Sequence, residues 1–176
     1  MSGLQSIALD RFGLGARPGD QVGDDPRGWV AAQLARYEPV PKALAGQPGL
    51  AQSFAVLRDY REQAAERRRE RNTMPETGRN TPEDARNTPR NMPGRALREP
   101  YLAAATARLA SALETDAPFP ERLVHFWSNH FAISADKQTV IPLAGNYEFE
   151  AIRPHVIGNF RDLLGAAVLH PAMLLY

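Results

Sequence analysis

The sequence has no cysteine, which excludes disulfides and thiolate metal sites within the chain. It has no apolar run near the roughly 18 residues that a membrane-spanning helix needs, so no membrane span is expected. An excess of one charge is missing too: 21 Lys and Arg face 20 Asp and Glu, a net charge of +1. No global field therefore draws the chain to nucleic acid or an anionic membrane. Alternation with a period of two is absent apart from Thr139 to Ile141, which is too short for a useful strand. Met1 to Asp10 has neither a basic start nor an apolar stretch of signal-peptide length, so the chain as written is expected in the cytoplasm.

What is present suffices for a core. Apolar residues make up 43% of the 176, enough for one domain and short for two. The positive charge is unevenly placed. Only Lys42 and Lys137 are lysines, so 19 of the 21 basic residues are arginine, and ten of these fall between Arg61 and Arg98.

The helical signals follow in order. Leu4, Ile7, Ala8 and Phe12 fall on one face of a first helix, which Gly13 and Gly15 can end through positive φ. The glycines at 13, 15 and 19 follow a helix, not a strand, which argues against a phosphate-cradling loop. Asp25 before Pro26 marks a second start. Its helix sets Trp29, Val30, Gln33, Leu34 and Tyr37 on the face expected to meet the core. Residues 39–49 read as a loop. A third helix runs from about Leu50 to Asn72, with Leu50, Phe54, Leu57 and Tyr60 in its first half and mainly charge and alanine from Glu62 to Arg71. That second half is expected to project into water. Its arginines could meet RNA, but no aromatic side chains are interleaved for base stacking, so no nucleic-acid partner is expected.

Short Asn/Thr/Pro repeats then occur at Asn72 to Pro75, Asn80 to Pro82, Asn87 to Pro89 and Asn91 to Pro93. Regular prolines forbid a stable helix or a central strand, and 72–95 is read as a disordered, Pro/Asn/Arg-rich insertion. Order resumes at Ala96. Leu102, Ala105, Leu109, Ala112 and Leu113 make a stripe on the next helix, whose small residues let neighbours approach. Pro120 can open the one after it.

Residues 121–134 carry the densest information. Phe126, Trp127 and Phe131 offer large apolar surfaces, with His125, Asn129 and His130 among them. Glu121, His125 and Asn129 share a face at four-residue spacing. His130 lies five after His125, about 140° round the helix, so the two histidines diverge. Zinc-binding histidines on one helix usually stand four apart with an acid between. A metal would therefore need one of this pair with a distant ligand such as Glu148, Glu150 or His155. Further on, Asn146 is a possible helix cap and Pro154 a helix break. The break leaves Arg153 and His155 able to converge on a neighbour. Asn159 with Asp162 suggests a capped start, and His170-Pro171 a junction between two helices.

Arg122-Leu123-Val124-His125-Phe126-Trp127-Ser128-Asn129-His130-Phe131 resembles the Phe-Trp-x-Asn-His-Phe signature of the bacterial family called domain of unknown function 1800. Tyr147-Glu148 through Ile152-Arg153-Pro154-His155 resembles its following block, and Gly158 to Leu164 with His170 to Tyr176 continue it. Ala8 to Gly15 is similar to the family's start, while the proline-rich middle falls outside the pattern. The resemblance implies a long, mainly helical bacterial protein, over twice this length, often exported and found beside a sulfatase-like partner protein. It implies no established reaction.

The expectation is an all-α irregular bundle of about six or seven helices. It forms a single incomplete domain over 1–176, with 72–95 as a flexible insertion and a C-terminal remainder expected beyond Tyr176. Function is expected to be that of an uncharacterised structural or interaction module. That reading predicts that His125, Asn129 and His130 are buried and hydrogen-bonded. The alternative is the N-terminal part of a metal-assisted hydrolase or oxidoreductase. There His125, Asn129, His130 and His155 would be catalytic, or His130, Glu148 and His155 would hold a metal, and three or more of His125, His130, Glu148 and His155 should converge on one cavity. No cofactor is specified. If the resemblance extends to compartment, export replaces the cytoplasm.

Overall fold

A computed structural model describes residues 3–73 and 95–176. Among them it contains eight helices and no strand, so the chain is all-α. Helix α1 spans Gly3–Phe12, α2 Pro26–Arg36, α3 Leu50–Thr73, α4 Arg95–Glu114 and α5 Pro118–His130. Helix α6, Ala144–Asn146, runs without interruption into a π-helical segment, Tyr147–Ile152, and a 3₁₀ turn, Arg153–His155. Helices α7, Phe160–Leu169, and α8, Pro171–Leu175, follow. Of the expected insertion at 72–95, Asn72, Thr73 and Arg95 are helical, and 74–94 lies outside the described residues. No helix of the described residues is long and apolar enough to cross a membrane.

The largest core cluster joins α5, α6 with its π segment, α7 and α8. It holds Val124, Leu143, Tyr147, Ala151, Ile152, Val156, Leu163, Ala167 and Ala172, with Trp127 and Phe131 packed at its edge. Ala8, Leu9 and Val22 form a smaller cluster with Trp29, and Leu57, Leu97 and Ile141 another.

Helix ends follow the local chemistry. Asp25 caps α2, accepting from the Gly28 amide at 2.9 Å, with Pro26 in the first position. Gly15 takes the positive φ expected of the turn after α1, whereas Gly13 does not. Helix α3 has the expected limits, and every residue from 61 to 73 is exposed. Asn159 stands at the start of α7, but its side chain makes no capping bond. His170 does cap: its Nδ1 accepts from the Ala172 amide at 3.2 Å at the head of α8.

The buried faces of three helices differ from those expected. In α1 the chain buries Ala8 and Leu9, leaving Leu4, Ile7 and Phe12 exposed. In α4 it buries Leu97, Ala104, Ala107 and Ser111 and leaves Leu102, Leu109 and Leu113 in solvent. The cause in α4 is close approach. A Cβ added to Gly145 of α6 would stand 2.4 Å from the Ala104 Cβ, so only small residues fit that seam. In α2 the one buried residue is polar Gln33. Its Oε1 accepts from the Phe119 amide at 2.6 Å, satisfying one of the orphan donors in the first turn of α5.

Candidate functional site

Glu121, His125 and Asn129 recur every four residues on α5 and face α4 and α6. Opposite them, the π segment does something an α-helix cannot. Residues five apart on an α-helix point about 140° apart, but a π turn bonds i to i+5 and brings such residues together. Glu148 and Arg153 are five apart, and Arg153 Nε donates to Glu148 Oε1 at 3.3 Å.

Arg153 is wholly buried. Its Nη1 donates to Glu121 Oε2 at 3.0 Å and its Nη2 to Glu121 Oε1, a two-pronged contact. Glu121 Oε2 also accepts from Ser111 Oγ at 3.3 Å. Glu148 Oε2 accepts from Ser128 Oγ at 3.1 Å and lies 2.8 Å from Arg108 Nε as an ion pair. The Tyr37 hydroxyl donates to the Arg153 carbonyl at 3.0 Å. Two arginines and two glutamates thus neutralise one another across α4, α5 and the π segment, with α2 tied in through Tyr37.

Burial alone would raise the Glu121 carboxyl. Its contacts with His125 and Arg153 outweigh that, and the group sits below its ordinary value. Burial would lower Arg153, but Glu121 and Glu148 hold it above its ordinary value. Burial also pushes the Tyr37 hydroxyl up, and it raises Tyr147 to about 12.

Beside this network lies a cavity of about 520 Å³. Arg108, His125, Asn129 and Glu148 line its polar side, and Ala104, Ala105, Leu109 and Phe149 much of the rest. The polar residues named from the sequence therefore separate. His125, Asn129 and Glu148 share the cavity; His130 and His155 do not line it. His130 is exposed and packs against aromatic rings, 4.8 Å from Phe131 and 5.4 Å from Trp127. His155 is half-buried in the 3₁₀ turn. No three His, Asp or Glu side chains among the described residues are grouped so as to hold a metal ion, so His130, Glu148 and His155 do not form the ligand set.

The burial expected of the α5 polar residues also fails. Asn129 and His130 are exposed, and His125 is half-buried, its Nε2 making no hydrogen bond but lying 3.6 Å from Glu121 Oε1. What is buried is Glu121, one turn before His125, and Arg153. Asn146 is no cap: it is buried within α6, and its Nδ2 donates to the Pro48 carbonyl at 2.8 Å and to Glu150 Oε1 at 2.9 Å. Arg108 was not singled out from the sequence, because a lone arginine in an alanine-rich helix carries no signal. Glu148 with Arg153 could have been found only by anticipating the π turn.

No curated protein and no solved structure matches the chain. The model of the family described as protein of unknown function (DUF1800) matches residues 7–176, and the chain belongs to that family.

Proposed function

We propose that the chain is a helical interaction module that docks a partner protein through the outer face of α7 and the adjoining aromatic end of α5. One observation carries this reading. From Leu163 to Leu169, α7 holds no charged or hydrogen-bonding side chain, yet only Leu163 and Ala167 are buried. Phe160, Leu164 and Val168 stand 54%, 37% and 42% exposed. A helix apolar on all sides belongs in an interior, and its uncovered face retains unspent burial energy.

The exposed residues recur every four positions and so form one stripe. At its head the Phe160 ring lies 5.5 Å from Trp127 and 6.5 Å from Phe131. Trp127 in turn stands 5.0 Å from Phe126, itself 56% exposed. Aromatic anchors beside an aliphatic stripe suit the apolar face of a partner helix. The partner implied by family resemblance is a sulfatase-like protein, and we assign that protein to this stripe.

The test is complex formation followed by light scattering. The wild-type chain and a sulfatase-like protein encoded beside it should co-elute. Leu164→Glu with Val168→Glu, both at exposed positions, should weaken binding by about tenfold or more while leaving the melting transition in place. Equal binding by the double variant, or no complex with wild type, contradicts the proposal.

A further inference from the structure

The cavity between α4, α5 and α6 has the size of a small-molecule site, and its walls divide by chemistry. Ala104, Ala105, Leu109 and Phe149 make an apolar side. Arg108, His125 and Asn129 stand on the other. Glu148 also faces the cavity, but it is 6% exposed and its oxygens are occupied: Arg153 holds one, and Ser128 with Arg108 the other. The carboxylate that would repel an anion, or attract a cation, is therefore already neutralised. Arg108 differs. Only its Nε engages Glu148, its side chain is 41% exposed, and its two Nη groups have no protein partner among the described residues. The ion pair tethers the guanidinium at the cavity wall and leaves its Nη donors to meet a ligand. The Asn129 amide, four residues after His125 on the same face, adds a neutral donor and acceptor.

We propose that this cavity binds a small organic carboxylate. Its anionic head would lie on Arg108 Nη1 and Nη2 with Asn129 beside it, and its apolar body along Ala105, Leu109 and Phe149. The alanines of α4 are what leave room for that body: a larger side chain at Ala105, which is exposed on the cavity wall, would fill it.

Calorimetric titration of the 176-residue chain with hexanoate and benzoate, and with hexanamide and benzamide, tests this. The carboxylates should bind and the isosteric amides should bind at least about tenfold more weakly, since charge-assisted contacts to the guanidinium are lost. Arg108→Gln should remove that discrimination. Arg108→Lys, which keeps the charge but loses the fork, should fall between. Ala105→Leu should abolish carboxylate binding without moving the thermal transition, and it carries the test if Arg108→Gln proves unfolded. Absence of carboxylate binding to wild type, equal binding of the amides, or unchanged affinity in Ala105→Leu overturns the proposal. So does binding of inorganic phosphate as tight as that of the carboxylates, because the apolar wall would then contribute nothing.

Discussion

Replacing Arg153 with methionine would leave Glu121 and Glu148 nearly buried without their shared counter-charge. Loss of one partner from such a cluster costs about 3–5 kcal/mol, far more than an exposed ion pair contributes. Urea denaturation of Arg153→Met should show a loss of that order, and a change within about 0.5 kcal/mol would mean that the network is solvated. His170 supports a different prediction. It is 7% exposed, with Glu150 Oε2 at 4.0 Å and the Tyr147 ring at 5.4 Å. Burial holds its imidazole below the ordinary value of 6.5, with Glu150 opposing in part. The folded state therefore binds fewer protons than the unfolded state just below pH 6.5, and stability falls as pH drops through that window. Protonation also removes the Nδ1 acceptor that caps α8. Asn caps helices without titrating, so His170→Asn should lose less stability than wild type between pH 7 and pH 5.5. Parallel curves for the two proteins would rule out His170 as the source.

Among the elements, the seam between α4 and α6 is the most sharply defined. Gly145→Ala would force a Cβ to within 2.4 Å of the Ala104 Cβ, and overpacking of this kind costs about 1–3 kcal/mol. Ala104→Gly in the same chain should recover part of that loss. A Gly145→Ala melting temperature equal to wild type would show that the helices are not in contact there. This seam also explains what could be read from the sequence. Helix α3 was legible because the apolar positions of its first half and its charged outer half agreed on about Leu50 to Asn72. Helix α4 was legible as a helix but not by face: apolarity favours Leu102, Leu109 and Leu113, while close packing selects Ala104 and Ala107. Gln33 lies on the face of α2 expected to meet the core and is buried there, because its side chain satisfies an amide in another helix, while Leu34 of that face stays exposed. For the site, the shared face of Glu121, His125 and Asn129 was visible in α-helical spacing. The Glu148–Arg153 pair was not, because five-residue spacing closes only in a π turn.

For the molecule as a whole, burial and exposure fall unevenly. The main core lies under α5 to α8, and that same region carries the uncovered apolar stripe. The arginine-rich outer half of α3 is solvated throughout, and no role is assigned to it. If α7 packs on the core with one face and on a partner with the other, its backbone should gain protection when the partner binds. Amide hydrogen exchange of the chain, alone and with the sulfatase-like protein, measures this directly. Slower exchange over 160–169 and at the end of α5 in the complex, with 61–73 unchanged, is the result expected. Identical exchange of 160–169 in the two samples at saturating partner would contradict the assignment of α7 as the docking face.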